Sequence, residues 1–310
     1  MRNEFVDELI ALADADPRVV LLTGDLGFGV LEAFAGRFPG RFYNMGVAEQ
    51  NMIGVATGLA EAGFVPFAYS IATFASLRPY EFIRNGPALH DLPVRIVGTG
   101  GGFDYGYNGA SHWALEDVAI MRAQPALAVI VPADARQARN ALRESVAIPG
   151  PAYFRLGRTG DPVAGFDGRF RLGHIETLGD GADVAIIALG PMTHEAVAAA
   201  QLLADQGVAA TVAVVGCVAP APVEDLLALL ARVPAAISVE AHYVTGGLGS
   251  LVAEVIAEAA LDCRLVRRGV TVMPRGVAGT QGQLEARFGL IASDLAASAV
   301  ATLAGAGISI

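Results

Sequence analysis

A single carboxylate, Glu49, heads a run of apolar and small residues, GVAEQNMIGVATGLAEAG at 46–63. Its neighbours Met45, Val47, Ala48, Met52 and Ile53 offer little water and no cation. Burial in such a setting would favour the neutral acid, which can donate a hydrogen bond to a heterocycle. An acid in the first turn of a helix also suits the helix dipole wherever it points, so position alone leaves a purely structural role open. Other residues able to do chemistry are scattered along the chain. They are Asp25 in GDLGFGV, Phe74 and Tyr80 in ATFASLRPYEF, Asn108 at the end of the Gly-rich run GTGGGFDYGYNG, His112 in GASHW, Arg158 in RLGRTG, and Arg2. A loop histidine titrates near neutral pH, and an arginine fork suits a phosphate. An aromatic at helical spacing is most often plain core. The Gly-rich run lacks the Lys-Ser/Thr ending of a phosphate-binding P-loop and the helix entry of a dinucleotide fingerprint, and reads as a mobile active-site loop.

These residues need a frame. Short apolar runs alternate with longer helical patterns throughout, the signature of an α/β fold in which mainly parallel sheets are flanked by helices. Strands are expected at 18–23, 41–44, 65–70, 94–99, 127–131 and 152–156, with the Glu49 helix after the second and one long helix at 74–90. Residues 161–180 are rich in Gly, Asp and Arg without periodicity and read as a linker. A first domain then spans 1–160 and a second 181–310. Ligands in such folds sit beyond the carboxyl ends of the strands. Asp25, Glu49 and the 100–113 loop all follow expected strands, so one pocket would collect them.

Composition narrows the classes. At 310 residues, 54% hydrophobic and 17% charged, the chain has enough apolar material for two cores. A net charge of −10 with no basic cluster argues against nucleic acid as a partner. The N-terminal stretch carries acids where a signal peptide carries positive charge, and no run approaches the length of a membrane span. Cys217 and Cys263, in apolar contexts, read as buried small hydrophobes in a reducing, cytoplasmic setting.

The stretch GVAEQNMIGVATGLAEAGFVPFAYSIATFASLRPYEFIRN at 46–85, with GASHWALEDVAIMRA at 109–123, VIVPAD at 129–134 and VEAHYVTGGLGSLVAEVIAE at 239–258, resembles the transketolase group of thiamine diphosphate enzymes. That group includes 1-deoxyxylulose-5-phosphate synthase and the beta subunits of 2-oxo acid dehydrogenases. The resemblance covers nearly the whole chain and implies a pyrimidine-binding domain followed by a transketolase C-terminal domain. It makes Glu49 the acid that hydrogen-bonds the cofactor's pyrimidine, Phe74 the aromatic that stacks on it, and Asp25 a further cofactor contact. It places His112 at the reacting carbon, and Asn108, Arg158 and Arg2 along the substrate. Three positions depart from sugar transketolases: Leu77 replaces a second aromatic, which implies a less aromatic pyrimidine cradle, while Asn108 replaces an acid and Gly100 a histidine, which together put a standard pentose phosphate substrate in doubt. The group's Gly-Asp-Gly motif with a distal asparagine, which holds magnesium and the diphosphate, has no counterpart: GDG occurs at 179–181, but no asparagine follows Asn140. The resemblance therefore implies a split enzyme. An N-terminal, alpha-type chain would carry the diphosphate and Mg2+, and the two chains would form a heterotetramer. A 2-oxo acid dehydrogenase beta subunit, a 1-deoxyxylulose-5-phosphate synthase-like enzyme and a non-catalytic scaffold are the alternatives.

Overall fold

Runs such as VVLLT and VPFAYSI are apolar on both alternating sets of side chains, which suits strands covered on two faces. The computed structural model describes residues 1–305, and residues 306–310 of the expected second domain lie outside them. In chain order the strands are β1 (Val19–Thr23), β2 (Phe42–Asn44), β3 (Val65–Ile71), β4 (Arg95–Thr99), β5 (Ala128–Ile130), β6 (Ala152–Leu156), β7 (Glu176–Leu178), β8 (Val184–Leu189), β9 (Ala210–Val215), β10 (Cys217–Ala219), β11 (Ala235–Tyr243) and β12 (Arg264–Val270). They form two sheets, ordered β10-β5-β6-β4-β3-β1-β2 and β12-β11-β8-β9-β7. All pairings are parallel except β10 with β5 and β7 with β9.

Two short strands close sheet edges, one of them from the other half of the chain. β10 comes from the second half of the sequence and closes an edge of the first sheet. β7, inside the stretch read as a linker, pairs with β9 in register Leu178 to Val212. One apolar core runs across both sheets, from Val20, Met52 and Ile96 to Ile187, Val215 and Val252. Both cysteines are free and buried, and burial pushes each thiol up to about 11.

The expected helix at 74–90 is broken. Helices cover Ala72–Leu77 and Tyr80–Ile83, and a wider turn covers Arg84–Ala88. Pro79 has no N–H to continue the first helix, and its ring crowds the preceding turn; Pro87 disturbs the register again. Near the C-terminus, Gln281–Gly305 has the length and mean hydropathy (1.5) of a membrane span. The fold uses it as two helices, Gln281–Arg287 and Ala292–Gly305. The second of these buries Leu295, Ala299 and Leu303 with β8 and β11 residues such as Ile186 and Ile237.

A polar knot joins the domains. Arg155 on β6 and Asp117 form an ion pair at 2.9 Å with side chains 4% and 1% exposed. Tyr153 donates to the same Asp117 oxygen at 2.7 Å, and the Arg155 guanidinium donates to the carbonyls of Ala114 and Ala241, one on each side of the junction. His242 Nε2 accepts from the Ala119 amide at 3.3 Å. Burial first of all lowers His242 to about 4, so it stays neutral near pH 7.

Candidate cofactor and active site

Five neighbouring parallel strands, β6-β4-β3-β1-β2, deliver the candidate residues from their carboxyl ends. Arg158 follows β6, the 100–113 loop follows β4, Phe74 and Arg78 follow β3, Asp25 follows β1 and Glu49 follows β2. Asp25 apart, their order along the sheet edge is also their order of contact, with Arg78 of β3 reaching past β1 to Glu49.

Glu49 opens the helix Glu49–Glu61, whose buried residues are Glu49, Met52, Ile53, Ala56 and Ala60. The acid thus occupies one place in an apolar helical stripe and is carried into the protein by it. Its Oε1 accepts from Ser70 Oγ at 2.9 Å and its Oε2 from Arg78 Nη1 at 2.8 Å. Gly24 lies behind it, where a Cβ would crowd Oε1 at 3.2 Å and push the carboxylate by a few tenths of an ångström. The expectation of an acid without a nearby cation is corrected: Arg78, 29 residues away in sequence, reaches it because β3 lies one strand from β2 across β1.

Phe74 meets both a cation and a second ring. The Arg78 guanidinium carbon lies 3.8 Å from its ring centroid, and the His112 ring packs against it at 5.1 Å and 66°. His112 Nδ1 shares a hydrogen bond with Ser111 Oγ at 3.0 Å, and Tyr105 lies beyond it at 6.2 Å between ring centroids. The guanidinium of Arg158 sits 4.9 Å over Tyr105, held by its Nη1 donating to the Asp104 carbonyl at 3.1 Å. Glu49, Arg78, Phe74, His112, Tyr105 and Arg158 form one unbroken rim. Gly100 explains part of this order. Its φ is +79°, and a Cβ there would fall 2.0 Å from the Tyr105 ring, so Tyr105 fills the space that a side chain at position 100 would take.

The remaining candidates flank the rim. Asp25 is exposed, adopts φ 60° and accepts from Asn44 Nδ2 at 2.9 Å. Asn108 is exposed in the single turn Gly106–Asn108. Arg2 has a buried Nε without a hydrogen-bond partner among the described residues, and its charge acts on Asp104 and Tyr105. Tyr80 turns away, donating to the Ile120 carbonyl at 2.8 Å.

The Gly-rich run read as mobile is anchored instead. Gly102 and Ala114 form a backbone bridge, and Phe103 stacks on Phe288 of the second domain at 5.5 Å and 9°. The edge of Trp113 closes on Phe103 at 5.4 Å.

The comparisons with known proteins agree with this fold. Residues 1–160 match the family model "Transketolase, pyrimidine binding domain" and 173–295 match "Transketolase, C-terminal domain". This chain belongs to the transketolase family. A putative transketolase C-terminal section of Methanocaldococcus jannaschii is 38% identical over 300 residues, covering 96% of this chain and 94% of that protein. A 6-deoxy-6-sulfo-D-fructose transketolase subunit of Clostridium is 38% identical over 304 residues, covering 96% and 93%. A solved structure described as a split gene transketolase, inactive beta4 tetramer, superposes with a TM-score of 0.89 at 40% identity over 98% of both chains. Membership of the transketolase family implies dependence on thiamine diphosphate.

Sequence reading of this transketolase-family chain missed Ser70, Arg78, Tyr105 and Asp104. Arg78 had a local signal: it lies four residues after Phe74, the spacing that sets a cation over a ring on one helix face. Ser70 and Asp104 had none, since each acquires its partner only when separate strands align.

Asp104 has a second neighbour of interest across the domain junction. A small cavity of about 20 Å³ is lined by Asp104, Arg155 and Glu285 among others. Burial raises Asp104 to about 6 and Glu285 to about 7. Asp104 and Glu195 raise Glu285 further by their charge, whereas Arg155, Arg158 and Arg2 pull Asp104 part of the way back down. A raised folded-state value means that the folded form prefers the protonated acid, so this contribution to stability is complete below the unfolded value and is lost as pH climbs through about 7. Glu285→Gln should remove the Glu285 part of that loss. Its stability advantage over the wild type should grow between pH 5 and pH 8 by roughly 1–3 kcal/mol, read from denaturant unfolding at each pH. A gap that stays constant with pH would mean that Glu285 does not titrate in that range.

Proposed function

We propose that this chain is the beta-type, C-terminal subunit of a two-component transketolase. It would move a two-carbon ketol unit from a ketose phosphate or 2-oxo acid-like donor to an aldehyde-type acceptor. The observation that carries this reading is the contact series from Glu49 through Phe74 to His112, ending at Arg158.

The site fits the pyrimidine half of thiamine diphosphate on its own geometry. A flat, nitrogen-bearing group, the Arg78 guanidinium, is accommodated against the Phe74 ring while hydrogen-bonding the buried Glu49 carboxyl. An aminopyrimidine makes the same two demands. When bound, thiamine diphosphate supplies a nucleophilic thiazolium carbon. Glu49 would hold a proton at a pyrimidine ring nitrogen, with Ser70 fixing its other oxygen. Phe74 would orient the ring by stacking, and Asp25 would make a further cofactor contact at the carboxyl end of β1. His112, wedged against Phe74, would hydrogen-bond or shuttle a proton to donor hydroxyls near the reacting carbon. Asn108 would read a substrate hydroxyl. Arg158, with Arg2 nearby, would hold an anionic end of the substrate.

The diphosphate and Mg2+ would be held mainly by the alpha-type partner, with the cofactor spanning the two chains in a cytoplasmic heterotetramer. Magnesium takes oxygen ligands from carboxylates and phosphates, and among the described residues no group of three His, Cys, Asp or Glu side chains converges. The test is to purify this chain alone and together with an alpha-type chain carrying the Gly-Asp-Gly and distal asparagine motif. Thiamine diphosphate content and ketol transfer to an aldehyde are then measured in each sample. Cofactor retention and transfer in the pair, and neither in the single chain, is the expected result. Transfer by the single chain, or a pair with no cofactor, would overturn it.

A further inference from the structure

We propose that Arg78 is a displaceable stand-in for the aminopyrimidine, occupying the Glu49–Phe74 cradle until the cofactor evicts it. The inference rests on thiamine diphosphate being the cofactor of this site. Three observations lead to it. The guanidinium carbon stands 3.8 Å from the Phe74 centroid, the spacing of a stacked plane, while His112 packs against the same ring edge-on at 66°. A second flat ring cannot stack on the face that Arg78 covers. Both carboxylate oxygens of Glu49 are also engaged, one by Ser70 and one by Arg78. A carboxylate that accepts from a guanidinium has no proton there to share with a ring nitrogen. Planar stacking and the hydrogen bond to the acid are thus both claimed by one side chain.

The third observation is that Arg78 is placed to leave. It lies at the helix break, between Leu77 and Pro79, and its side chain is 41% exposed while that of Glu49 is 1% exposed. Beside it opens a cleft of about 520 Å³ lined by Val47, Ala48, Glu49, Gln50, Asn51 and Arg78 itself. Rotation into that cleft frees the ring face and Oε2 together and returns the guanidinium to water. Until then the contact is useful to the empty protein, because a buried carboxylate without a cation is costly. Arg78 therefore stabilises the empty cradle and competes with the group that fills it.

The experiment is calorimetric titration of thiamine diphosphate with Mg2+ into the assembled two-chain enzyme, for the wild type and for Arg78→Ala, Arg78→Gln and Arg78→Lys. Arg78 is exposed at a helix end, so the neutral variants retain the fold, which circular dichroism verifies. Arg78→Ala and Arg78→Gln should bind the cofactor about five- to tenfold more tightly than the wild type, the scale on which tenfold corresponds to about 1.4 kcal/mol. Arg78→Lys, which keeps the charge and loses the flat stack, should fall between. The same neutral variants should melt at lower temperature when cofactor-free, because Glu49 is then buried without its cation. Tighter binding with weaker empty-state stability is a pairing that a merely structural arginine does not produce. Unchanged or weaker cofactor binding in both neutral variants would overturn the inference. A wild-type complex that binds no thiamine diphosphate would instead overturn the functional reading beneath it.

Discussion

Glu49→Gln is expected to lower turnover of the assembled enzyme by at least about two orders of magnitude, the worth of a positioned proton transfer. The substitution keeps the shape and the hydrogen bond from Ser70, so the loss reports the acid itself. The helix Glu49–Glu61 should form as before, since its buried face is set by Met52, Ile53, Ala56 and Ala60. Initial rates at saturating thiamine diphosphate separate a lost proton from lost cofactor affinity. A reduction smaller than about tenfold would remove Glu49 from the role and return it to a structural one.

The second large effect concerns stability. Asp117→Ala strips the partner from Arg155, whose side chain is 4% exposed. It also takes the acceptor from Tyr153, which is fully buried. Removing one member of a buried ion pair costs about 3–5 kcal/mol because the remaining charge stays out of water. Equilibrium unfolding in urea should show that loss. It should be accompanied by weaker substrate binding, since Arg155 also grips the Ala114 carbonyl at the foot of the loop that carries His112. A loss below about 1 kcal/mol would place the Arg155 charge in contact with water or another acid.

The two effects lie at different levels of the molecule. Glu49 acts at the sheet edge on a bound group, whereas Asp117 acts through the joint between the sheets. The C-terminal domain contributes to the site through this joint. Phe288 stacks on Phe103, and Ala241 accepts from Arg155, so the second domain braces the loop of the first.

The sequence by itself determined the layered α/β architecture, because strands buried on both faces need unbroken apolar runs and the flanking helices need a 3.6-residue stripe. It placed Glu49 at the head of an apolar helix and left its burial open, which the structure decided by putting 49, 52, 53, 56 and 60 on the buried face. The resemblance to the transketolase group rested on local strings, and so Phe74 and His112 were named before any contact between them was known. Only the tertiary structure decided how these residues meet. Alignment of β2, β1 and β3 brought Arg78 and Ser70 to Glu49, and the positive φ of Gly100 let Tyr105 swing between His112 and Arg158. The edge strands β7 and β10, three residues each, were too short to carry a periodic signal; pairing with a neighbour already in place is what makes them strands. Periodicity is a property of one segment and is written in it. Partnership belongs to two segments at once, and the register between them is fixed by the packing of the whole.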